Sequence, residues 1–112
     1  ELAEISAIME SIEGYHIENP PEALLTGSYE VLSSDFPVVN PTLFPHGLFG
    51  HPMLQAYPLE WVEGMCLSSR TKIFLPKSLV SLDSTIVYPE FAFFSITTNG
   101  LAAGNTTEEA LC

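Results

Sequence analysis

The chain has 112 residues, room for one domain or part of one, and 46% of them are hydrophobic, a globular share and not a disordered one. Fourteen acidic residues against three cations, Arg70, Lys72 and Lys77, leave a net charge of −11. With no basic patch to neutralise phosphates, nucleic acid is not an expected partner, and with no apolar run of spanning length, neither is a membrane interior.

The opening stretch, Glu1 to Glu13, has helical spacing from its first residues. Leu2, Ile5, Ile8, Met9 and Ile12 recur at three- and four-residue steps and form one apolar stripe. Pro20-Pro21 stops this helix, so its end is expected between His16 and Asn19. An extended piece is expected around Ser28 to Leu32. Residues 33–58 then read as loop, because five X-Pro steps favour extended or turn backbone, with a short helix at Met53 to Ala56.

Leu59 to Leu67 has the alternation of a strand, with Leu59, Trp61 and Met65 on one face and Gly64 at the place of a bulge. Ser68 to Arg70 turns the chain, and Thr71 to Leu75 returns as the second strand of a hairpin ended by Pro76. Lys77 to Val80 reads as a helical turn. Val87 to Ile96, apolar and aromatic, is expected to pack on the sheet or supply a further strand. From Thr107 a second helix begins. No internal repeat or low-complexity tract is evident, and the fold class is α+β. A chain that begins and ends in helical pattern is expected to be a central piece of a longer protein, truncated at both ends.

Glu10 and Glu13 stand three residues apart, ~60° around the helix axis on adjoining turns. Such carboxylates converge on a divalent cation, and hard oxygen ligands suit Mg²⁺. The same spacing also describes an ordinary solvated helix face. Glu13 borders the apolar stripe and is expected to be partly buried, with Glu10 further round. His16 continues the three-residue spacing and sits equally well near the helix C-terminus, where its charge is favourable.

The bend Asn99 to Thr106 carries Gly100 and Gly104 and leads into a helix, so its N–H groups could cradle an anion. Thr106 and Glu109 fit a capping box just as well, and Asn105 fits a cap or turn residue. His46 and His51 match no zinc spacing. Trp61 and Cys66 read as core packing residues. Cys66 and Cys112 form neither a metal motif nor a disulfide framework, and a reduced, cytoplasmic setting is the expectation.

Three segments, taken together and in order, resemble the YcaO family. Ser6 to His16 is similar to its first acidic helix. Leu59 to Leu67 with Ile73 to Val80 resembles its central hairpin and following segment. Ser95 to Ala110 is close to its signature TNGLAAGNT-x-x-EA, the most specific of the three. The resemblance implies an ATP- and Mg²⁺-using domain that phosphorylates the oxygen of a peptide backbone amide. Cys, Ser or Thr side chains then close azoline rings, or a thioamide is installed.

By position, the resemblance makes Glu10 and Glu13 metal ligands and places Asn105 and Glu109 at the nucleotide. It implies ATP and Mg²⁺ as cofactors and a peptide or protein substrate. A partner protein that delivers the substrate and a homo-oligomer are further expectations. Gly14 stands where many members carry an arginine, and Ala102 where some carry a serine. A second acidic motif, Glu-x-x-Glu-Arg, is expected shortly beyond Cys112, so these residues alone are not expected to turn over. The alternatives are a non-catalytic peptide-binding scaffold with a degenerate nucleotide site, or an accessory role in ribosomal-protein modification.

Overall fold

The computed structural model describes residues 1–45, 53–81, 94, 102 and 106–111. The expected third strand at Val87 to Ile96, apart from Phe94, lies outside the described residues. So do most of the Asn99–Thr106 bend and Asn105, His46, His51 and Cys112.

Helix α1 runs Leu2–Glu18. Its end is where the prolines require it, and Asn19 closes it: both the backbone N–H and the side-chain Nδ2 of Asn19 donate to Tyr15 O at 2.9 Å. Its start has no side-chain cap. Three strands, β1 (Leu25–Gly27), β2 (Leu59–Cys66) and β3 (Thr71–Pro76), form an antiparallel sheet in the order β1-β2-β3. Short helices α2 (Tyr29–Leu32), α3 (Lys77–Val80) and α4 (Thr107–Leu111) and a 3₁₀ turn at Pro41–Leu43 complete the described elements.

The expected extended piece at Ser28 to Leu32 is corrected: the strand lies just before it, and Tyr29–Leu32 is helical. Gly27 makes the handover. It has φ +153°, and a Cβ there would stand 3.3 Å from Leu32 Cγ, so a side chain would meet both strain and a neighbour. Its carbonyl accepts the Trp61 indole N–H at 2.9 Å, which satisfies the one polar atom of the largest buried side chain.

Gly64 is not a bulge. The register runs unbroken through Glu63↔Phe74, Gly64↔Ile73 and Met65↔Lys72, and glycine serves close approach instead, since a Cβ would lie 3.3 Å from Leu75 Cδ1. Residues 53–57 form a turn, held by Tyr57 N–H on Met53 O at 2.9 Å, where a short helix was expected. The outer edge of β3 is covered by residues 37–39: Phe74 N–H donates to Pro37 O, and Val39 N–H to Phe74 O, both at 3.0 Å. That removes an edge open to pairing with other chains.

Leu54, Leu59, Trp61, Phe74 and Phe94 make the core, with Leu25, Tyr29, Leu32 and Leu79 against it. The expected apolar face of β2 is half correct. Leu59 and Trp61 are buried, whereas Met65 on the same side is 56% exposed because the core ends before it. α3 packs on β2 and β3, while α1 and α4 stand outside this packed set.

Candidate functional site

α1 owes its helix to spacing and composition, and it carries the first acidic pair on consecutive turns. Glu10 is exposed and Glu13 half-buried, as the apolar stripe beside Glu13 leads one to expect. Among the described residues neither carboxylate is tied up in an ion pair; the two ion pairs are Glu1 N-terminus to Glu4, at 3.7 Å, and Lys72 Nζ to Glu63 Oε2, at 3.3 Å. A pair of free carboxylates one turn apart fits Mg²⁺, which takes one or two protein oxygens and fills its shell with water and phosphate.

His16 lies in the last turn of α1 with its ring edge-on to Tyr15, centroids 5.7 Å apart. It does not complete a cluster: among the described residues no group of three or more His, Cys, Asp or Glu converges on one point. Any closed ligand set therefore needs donors beyond these residues.

At the other end of the chain the capping arrangement forms. Thr106 Oγ1 accepts the Glu109 N–H at 3.2 Å, and Ala110 N–H bonds Thr106 O at 3.1 Å. Glu109 and Ala102 are exposed. Asn105 lies outside the described residues. No packed element pair joins α1 to α4, so the described structure brings Glu10 and Glu13 together on one helix and leaves Glu109 on a separate one. Gly14 has open space around it: a Cβ there meets nothing within 4 Å.

One chemically distinctive group differs from its expectation. Cys66 is half-buried, not a core residue, and closes β2 at the hairpin turn. Its Sγ lies 3.3 Å from Ser68 Oγ, and Arg70, at φ 54°, donates its N–H to Cys66 O at 2.7 Å. Hydrogen bonds from the Ser68 side chain first, then from the Ser69 side chain and both backbone amides, lower the thiol from 9.0 to about 6. The signal in the sequence is Cys-Leu-Ser-Ser-Arg in a tight turn, which folds the Ser68 hydroxyl back onto the sulfur.

A protein-family model described as YcaO cyclodehydratase, ATP- and Mg²⁺-binding, matches residues 1–112, the whole chain. Two curated relatives are similar, both from Mycobacterium tuberculosis: Uncharacterized protein MT1419 (strain CDC 1551 / Oshkosh) and Uncharacterized protein Rv1375 (strain ATCC 25618 / H37Rv). Each is 31% identical over 111 residues, covering 96% of this chain and 24% of the relative. The chain thus spans about a quarter of the length of the curated relatives it matches. No solved structure matches. No described helix is long and apolar enough to cross a membrane.

Proposed function

Because the chain belongs to the YcaO family, we propose that the full-length protein uses ATP and Mg²⁺ to phosphorylate a backbone amide oxygen of a peptide. The observation that carries this reading is the family match across all 112 residues. An amide oxygen is a poor leaving group. Once it has taken the γ-phosphoryl group and released ADP, it can depart as phosphate. A Cys, Ser or Thr side chain attacking the amide carbon then closes an azoline ring, and a sulfur donor would give a thioamide.

Within this segment, Glu10 and Glu13 supply the carboxylates for Mg²⁺, which when bound neutralises charge on the phosphates during transfer. Asn105 and Glu109 contribute on the nucleotide side. A cytoplasmic setting, a partner that presents the peptide and a homo-oligomeric assembly belong to the same proposal. The scaffold alternative draws on Gly14 and Ala102, where a cation and a hydroxyl of other members are replaced.

The test is Mg²⁺-dependent ATP binding by the full-length protein, measured by calorimetry on the wild type and on Glu13→Ala. Binding is expected to be lost or weakened at least about tenfold in the variant, the scale on which loss of a site's supporting ligands acts. Unchanged affinity would remove Glu13 from the site.

A further inference from the structure

The surface that carries most is the apolar face of α1. Leu2, Ile5, Ile8 and Ile12 are 82%, 54%, 59% and 44% exposed, and Tyr15 is 62% exposed. A shallow depression runs along the same face between Ile8, Ile12 and Tyr15. Single exposed apolar residues are ordinary, but a continuous stripe along a 17-residue helix marks a contact surface. Its margins are acidic on both sides. At ~100° per residue, Glu4 and Glu18 edge the stripe beside Ile8 and Tyr15, Glu13 edges it beside Met9, and His16 falls within it in the last turn. The helix contains no Lys or Arg.

We propose that this face is closed by another segment of the same polypeptide, an apolar element edged with Lys or Arg. Charge decides among the occupants. A second copy would set glutamate margin against glutamate margin, with His16 as the one basic side chain of each helix against Glu4, Glu10, Glu13 and Glu18, a repulsion that is largely uncompensated. An anionic lipid surface meets the same objection, since membrane-surface helices need a basic polar face. The remaining occupant has an apolar stripe and basic edges. The matched relatives extend over about four times the aligned length, which gives ample chain to supply it. The cations present here do not serve: all three lie on the hairpin or on α3, and Lys72 already pairs with Glu63. The proposal rests on the family relationship but not on nucleotide binding.

Hydrogen exchange on the full-length protein, followed peptide by peptide, tests the closure. The α1 amides are expected to be protected to the same order as those of β2, and to stay protected on dilution. Rapid exchange across α1 while β2 remains protected would overturn the proposal. Protection that disappears on dilution would also overturn it, by identifying a second copy as the occupant. The basic edge is tested by Glu18→Lys in the full-length protein. A lysine in the last helical turn favours the helix dipole, so with no basic neighbour the Tm should rise. Facing Lys or Arg, the variant is expected to melt lower, and more so at low salt than at high salt. A raised or salt-independent Tm would overturn the basic edge. Retained ATP binding with an unprotected α1 would sink this inference alone, and a protected α1 without ATP binding would sink only the proposed function.

Discussion

At the scale of single residues the hairpin turn sets a measurable property. The Cys66 thiol is held at about 6 by hydroxyl and amide hydrogen bonds, against 9.0 for an ordinary thiol, so it is chiefly thiolate at neutral pH. Alkylation by iodoacetamide, followed by mass spectrometry of the 66-containing peptide, is expected to rise with pH about a midpoint near 6, and Ser68→Ala is expected to move that midpoint upward. A midpoint at the ordinary thiol value would mean the hydroxyls do not hold the sulfur in solution. The stability linkage has a definite sign. Between pH 6 and 9 the unfolded chain binds the proton that the folded thiolate lacks, so this group's contribution grows as pH rises and is lost as pH falls through about 6. Neither property could be read from the cysteine's place in a strand pattern. Residue type alone points to burial, and only the turn geometry places Ser68 beside the sulfur.

Among the elements, the corner where β1 passes into α2 is tightly built. Gly27 combines a left-handed φ with Leu32 Cγ only 3.3 Å from where a Cβ would stand, and its carbonyl holds the Trp61 indole. Gly27→Ala is expected to cost about 1–3 kcal/mol, the range for residues forced into sparsely populated backbone regions, as read by urea denaturation of the full-length protein. A neutral result would mean that the corner relaxes without cost. This corner also marks where sequence reading stopped. The hairpin and α1 were legible because each repeats a period over eight residues or more: α1 with its threes and fours, β2 with alternation about Trp61. β1 has three residues and α2 four, too few for a period to emerge, and what fixes them is contact with residues far along the chain, β2 for β1 and Gln55 O for the Glu30 N–H of α2. The bulge expected at Gly64 failed for a related reason. Glycine signals either an irregular backbone or a close neighbour; the unbroken register excludes the first, and the approach of Leu75 Cδ1 supplies the second.

At the scale of the whole molecule, the acidic pair was legible as spacing and its assignment to Mg²⁺ followed from resemblance. The geometry adds that the two carboxylates are free and that the ligand set is incomplete within the described residues. The 112-residue chain on its own is therefore expected to release no ADP from Mg²⁺·ATP above background in a coupled assay, whereas under the proposed function the full-length protein is expected to do so. Turnover by the short chain would show that half of the expected acidic motifs suffices. Among the described residues α1 lies outside the packed sheet and α3, and this also has a bearing on handling. A solitary helix of this length is marginal in water, so in the short chain it opens and recloses independently of the sheet. A glutamate-specific protease would find Glu10 and Glu13 during those openings and clip the leading helix away first, leaving the Trp61-centred sheet intact. Truncation libraries screened for soluble product would then favour clones that begin near Pro20 and have silently discarded the acidic pair.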